Sequence, residues 1–194
     1  MLFTPLSRVG SEVARHRAGN RFEKLATTPL SRAEWLFAGT LVNAVVIGLA
    51  AVLLLGLVVA VTGARVVLGP GTLLLVPFLG LGVALFCAVG ALLGSWAESQ
   101  DGVVAASNAI ALPLLFLSET FVPRSMLPEW LPTWASPLTY FSRGVRGLTY
   151  AGEPAGAAGV PAPGGTVLGD LAVLAVLAGL AFLVAARALP RTEN

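Results

Sequence analysis

Four long apolar blocks dominate the chain, separated by short stretches that are polar or rich in glycine and proline. They cover residues 35–61, 73–96, 102–117 and 167–186, and Ala44–Val61 holds no charged residue. A helix needs about 20 residues to cross a hydrocarbon core of about 30 Å, so each block predicts a membrane-spanning helix. The third is the shortest and contains Pro113, which predicts a kink or an early end. Such a break is tolerable where neighbouring helices satisfy the freed carbonyl. Gly90 and Gly94 have the small-xxx-small spacing that permits close helix approach, although glycine is also simply common in membrane helices. The pattern predicts an all-α membrane protein, with residues 1–34 as a flanking segment and 35–194 as the transmembrane domain.

The flank has its own local grammar. Pro29 disfavours helix at Thr28, so a short helix should end near Ala26. Ser31 and Glu34 have capping-box spacing and start the next helix, which continues into the membrane. Phe22 and Leu25 lie one turn apart among Arg21, Glu23 and Lys24. Two readings fit this amphipathic turn: a helix lying on anionic lipid, or a helix docked in a partner's groove.

Between the third and fourth blocks, residues 121–150 are divided by Pro123, Pro128, Pro132 and Pro137. Ser136 and Pro137 make a good helix start, with serine as N-cap and proline at the first helical position. Leu138, Phe141, Val145 and Leu148 then form an apolar stripe at helical spacing, with Arg143 and Arg146 off it. Trp130 and Trp134 suit a membrane interface. Short helices that dip into or lie along one leaflet are expected here, not a fifth span. Residues 151–166 are rich in Gly, Ala and Pro and predict a flexible loop.

Composition agrees with a membrane protein. Charged residues make up 11% and hydrophobic residues 56%, against about 25% charged in soluble domains. Charge then sets the orientation. The flank holds Arg8, Arg15, Arg17, Arg21, Lys24 and Arg32, and the tail holds Arg187 and Arg191. The opposite side would hold Arg65, Arg124, Arg143 and Arg146. By the positive-inside rule both termini are expected in the cytoplasm, with a multi-pass protein in the plasma (cytoplasmic) membrane. The clustering speaks for this bias and not for nucleic acid. Trp35 and Trp96 then fall at the cytoplasmic interface.

Two motifs carry a resemblance. Gly19, Glu23, Leu25, Thr28, Pro29 and Ser31 match in order and spacing the cytoplasmic loop of ABC-2 type transporter permeases. Asn20 stands where that family usually has Thr. Leu127-Pro-Glu-Trp-Leu, followed by Pro137-Leu-Thr-Tyr and Arg146, is similar to the same family's segment before its last span. The resemblance implies a permease subunit of an ABC exporter. It implies that Arg17, Gly19, Arg21, Phe22, Glu23, Lys24, Leu25 and Pro29 form a coupling helix and its surround, resting on a separate nucleotide-binding subunit. It implies that Pro128, Trp130, Pro137, Tyr140 and Arg146 belong to re-entrant outer helices capping the path. A second permease chain, ATP-Mg on the partner subunit and no cofactor on this chain also follow from it. Relatives usually have six spans, and this chain starts where their third would begin. That raises the expectation that two preceding spans are missing, and with it the alternative of a truncated or non-transporting membrane module.

Other chemistry is weakly represented. No phosphate-binding G-x-x-x-x-G-K-[ST] motif occurs, so ATP should be bound elsewhere. Cys87 is the one cysteine, which excludes an intramolecular disulfide. His16 reads as a solvated loop residue, and Glu98 and Asp101 as solvated turn residues. Glu119 and Asp170 sit near helix ends where both should reach water. Asn43 and Asn108 should bond a neighbouring helix. A membrane-embedded enzyme is the remaining competing class, but no span offers a Glu/His or Ser/His pair.

Overall fold

The computed structural model describes residues 3–18, 32–63, 70–118, 128, 130–149 and 167–188. Among them are six α-helices: α1 (Thr4–Ala18), α2 (Arg32–Thr62), α3 (Leu75–Trp96), α4 (Gln100–Leu117), α5 (Pro137–Thr149) and α6 (Val167–Ala188). Two 3-10 turns, Pro70–Leu74 and Thr133–Ala135, lead into α3 and α5. Four helical stretches are long and apolar enough to cross a membrane: Ala33–Thr62, Gly71–Trp96, Gln100–Leu117 and Val167–Ala188. Of these the second is the most buried and the first the least. At 31 residues, α2 is about 46 Å long.

The helices divide into two compact units. The first draws on Met1–Ile47, Val83–Ala111 and Leu177–Asn194, and the second on Gly48–Gly82 and Leu112–Val176.

In the first unit, α1 is the element that the hydropathy pattern does not disclose. The stretch is too short and too polar to read as a span, and the sequence reading assigns it to a segment outside the membrane. It instead lies along apolar α3. Leu6, Val9, Val13 and Ala14 form a buried stripe at i, i+3, i+4 spacing, which is one face of a helix. The contact is backbone to backbone. A Cβ on Gly90 would run into the Leu6 carbonyl, and one on Gly94 would meet the Gly10 carbonyl and lie 2.8 Å from Val13 Cβ. A Cβ on Gly10 would lie 2.6 Å from Val103 Cγ1 on α4 and 2.7 Å from the Gly90 carbonyl oxygen. Gly90 and Gly94 therefore do have a specific packing role. Because Leu6 meets Gly90 and Gly10 meets Gly94, α1 and α3 run parallel. Phe3 packs edge-on against Phe86, with ring centroids 5.0 Å apart.

Pro113 does not end α4, which continues to Leu117. The helix is opened by Ser99, whose hydroxyl accepts the Gly102 N–H at 3.1 Å, an N-cap bond.

In the second unit, α5 packs on the start of α3. Phe78 is fully buried, and its ring occupies the space a Cβ on Gly144 would need. A Cβ on Gly71 would touch Leu148 at 3.6 Å, and one on Gly147 would sit 3.1 Å from Val167. Small residues thus let α5 approach its neighbours where a side chain would hold them apart.

Overpacking a tight contact costs about 1–3 kcal/mol, several degrees of melting temperature for a protein of this size. Gly90→Leu should therefore lower the apparent melting temperature in detergent by about 5 °C. Gly56→Leu, at a site with nothing within 4 Å, should leave it unchanged.

Candidate functional site

Two regions carry the residues singled out from the sequence. The first is the end of the bundle where α1 closes and α2 begins. The His16 and Trp35 rings lie 5.7 Å apart, and Arg15 Nη2 donates to Gln100 Oε1 at 3.5 Å. The last turn of α1, the first turn of α2 and the turn between α3 and α4 therefore meet at one place. His16 is accordingly a half-buried helical residue against an indole, not a loop histidine. Arg17 lies in the last turn of α1. Gly19, Arg21, Phe22, Glu23, Lys24, Leu25 and Pro29 lie outside the described residues, as do Thr28 and Ser31. What the structure supplies is the frame from which that segment departs and to which it returns.

Around this frame lie charged side chains that sequence reading counted only as charge. Arg8, Glu12, Arg15 and His16 line one shallow groove. Val9, Glu12, Trp35, Leu36, Ala38, Gly39 and Val42 line a second, between α1 and α2. A signal was present in the sequence: Arg8, Glu12 and Arg15 alternate with the apolar stripe of α1 at helical spacing.

The second region is the segment before α6. Pro137 opens α5, as its fixed φ suits the first helical position. Ser136 has the extended backbone of an N-cap, with φ −87° and ψ 121°, but its hydroxyl does not cap α5. It donates instead to the Leu114 carbonyl at 2.9 Å. That carbonyl, in the last turn of α4, also accepts the Ser118 N–H at 3.0 Å, so its two lone pairs are both used. The Ser118 hydroxyl donates to Leu115 O at 2.7 Å, so two serines cap the end of α4. Thr139 Oγ1 donates to Thr133 O at 2.6 Å, and Tyr140 OH to Trp134 O at 2.9 Å. These bonds fold the Thr133–Ala135 turn against α5. Ser136, Thr139 and Ser118 are fully buried. Pro128, Trp130 and Trp134 are exposed, and Arg146 is half-buried in the last turn of α5. Of the residues expected in re-entrant helices, the structure thus joins Pro137 and Tyr140 to the turn that carries Trp134.

Several expectations change. Asp170 is buried, not solvated. It sits in the first turn of α6, where the helix dipole and free N–H groups favour an acid. Asn43 is buried, yet its amide donates to Gly39 O of its own helix at 2.8 Å, and Asn108 is exposed. Neither shows the expected bond to a neighbouring helix. Glu119 lies outside the described residues. Among the described residues, no group of three or more His, Cys, Asp or Glu side chains is placed to hold a metal.

The sequence profile of ABC-2 type transporters matches residues 1–150, from α1 through α5. The chain belongs to the ABC-2 type transporter family. It is a permease-type membrane component, from a family of transport subunits and not of catalytic domains. Permeases of this family typically partner with an ABC ATPase in a membrane complex. No curated protein sequence and no solved structure matches the chain.

The hydroxyl clasp of this permease can be tested directly. Interhelical hydrogen bonds in membranes are each worth about 0.6 kcal/mol, so losing two should speed local opening about eightfold. Ser136→Ala with Thr139→Val should raise amide exchange across Ala135–Thr139 by about that factor. Exchange in α1 should not change.

Proposed function

We propose that this chain is the permease subunit of an ATP-driven exporter, coupled to a separate ATPase through the segment between α1 and α2. The carrying observation is the family match, which includes that segment. The convergence of His16, Trp35, Arg15 and Gln100 at the segment's two ends supports it. Arg17, Gly19, Arg21, Phe22, Glu23, Lys24, Leu25 and Pro29 are the proposed ATPase contact. ATP-Mg is bound by the partner, and the working assembly pairs two permease chains with two ATPases.

The mechanism follows from packing. Closure of the ATPase pair on ATP pushes the segment. The push reaches α2 directly, because the segment runs into it. It also reaches α3 and α4, because α1 is seated backbone to backbone on Gly90 and Gly94 and directly against the Val103 side chain. Close-packed elements transmit displacement instead of absorbing it.

The basic residues put this end of the bundle on the cytoplasmic side of the plasma membrane. The α5 region is assigned to the outer side on its resemblance to the family's segment before the last span. Its exposed Trp130 and Trp134 suit the opposite interface.

Co-expression with the cognate ATPase should recover both proteins in one detergent complex whose ATPase rate depends on the permease. Phe22→Asp places a charge on the apolar side of the proposed contact. It should cut that stimulation at least tenfold while leaving the permease's own melting temperature unchanged. Failure to recover an ATPase, or full transport by the Phe22→Asp variant, would overturn the reading.

A further inference from the structure

The two grooves on α1 share one residue. Glu12 lines both the charged groove with Arg8, Arg15 and His16 and the apolar groove with Val9, Trp35, Leu36 and Gly39. A polar cradle that runs straight into an apolar slot has the chemistry of an amphiphile site. We propose that this surface binds a glycerophospholipid with one net negative charge, its phosphate on Arg8 and Arg15 and one acyl chain along the α1–α2 slot.

Position supports this occupant. Leu6 and Gly10 meet Gly90 and Gly94, so α1 lies along the final turns of α3. Trp96 at the end of α3 is 73% exposed, as befits an indole at the membrane interface. Arg8 and Arg15 are seven residues apart, about 10 Å of helix axis. They therefore straddle the depth at which headgroup gives way to acyl chain. Long basic side chains at that depth extend towards phosphates.

Charge chooses the lipid. Among its described lining the charged groove carries two guanidinium groups, Arg8 and Arg15, against one carboxylate, Glu12, an excess of one positive charge, and all three side chains are exposed. A phospholipid with a single negative charge neutralises it, whereas a zwitterionic one leaves it uncompensated. Arg15 gives one N–H to Gln100 and keeps further donors of its five-donor fork for a phosphate oxygen. Glu12, at the junction of the two grooves, can accept from headgroup hydroxyls.

Shape supplies the acyl part. Gly39 lines the slot, and a Cβ built there would meet nothing within 4 Å. The floor is Leu36, which is 1% exposed, and Val9, which is 3% exposed. The slot is therefore open above a base of packed side chains.

The test uses the whole chain purified in mild detergent, without any ATPase, so its outcome is independent of the coupling proposal. Phosphatidylglycerol and phosphatidylcholine of identical acyl chains are added, and retained lipid is counted by native mass spectrometry. The wild type should hold phosphatidylglycerol about fivefold more tightly than phosphatidylcholine, as expected for one uncompensated interfacial positive charge. Arg8→Gln with Arg15→Gln should abolish that preference. Gly39→Leu should weaken retention of phosphatidylglycerol about tenfold while leaving the lipid-free melting temperature unchanged. The soluble headgroup fragment glycerophosphoglycerol should not compete at equal concentration. Equal retention of the two lipids by the wild type would overturn the proposal. So would undiminished preference in the double variant, undiminished binding by Gly39→Leu, or full competition by the headgroup fragment alone.

Discussion

Between α1 and α3 there is no side chain at Gly10, Gly90 or Gly94, and the two backbones touch. Inside a bilayer, apolar surface gains nothing by leaving lipid for protein, so helices associate by close packing and polar contacts. Removing side chains at three facing positions is the means by which a 15-residue helix with four charged side chains is held against an apolar one. Everything at that end of the protein is placed by this contact. It brings Arg15 to Gln100 and His16 to Trp35, and so sets both anchorage points of the segment in between.

A second economy concerns hydroxyls. Thr40, Thr62, Ser95, Ser142 and Thr149 each donate to a carbonyl three or four residues earlier in their own helix. Such bonds hide a polar group without a partner on another helix. The Cys87 thiol lies against Thr40 as part of the same arrangement. Where hydroxyls reach further, as Ser136 and Thr139 do, they fasten one element to another. Ser107 does neither: its hydroxyl is buried without a partner among the described residues.

The spans were legible because membrane crossing demands only length and apolarity, and residues 35–61 or 167–186 supply both without ambiguity. Pro137 was legible because its geometry suits one helical position. The family was legible because spaced residues such as Gly19, Glu23 and Pro29 form a pattern independent of fold. α1 was not, since its interleaved apolar and charged side chains average to a polar flank, and only its partner reveals which face matters. For the same reason Gly90 and Gly94 were ambiguous: their meaning lies in Leu6 and Gly10, some 80 residues earlier. Ser136 looked like a cap because local rules see only the helix that follows, whereas the Leu114 carbonyl on α4, with a second lone pair to offer beside its Ser118 bond, takes its proton. Asp170 looked solvated because neighbouring burial is not written in a helix's own sequence.

The length of α2 has a mechanical corollary. Its uncharged apolar stretch from Trp35 to Val61 measures about 40 Å, against a hydrocarbon core of about 30 Å. Hydrophobic matching makes such a rod tilt, or thicken the bilayer around it. Little of α2 is buried against other described residues, so lipid thickness can act on its inclination alongside its helix contacts. A membrane a few ångströms thicker would stand it more upright and swing its first turn. Bilayer thickness is then a mechanical input to the end of α2 at which Trp35 meets His16.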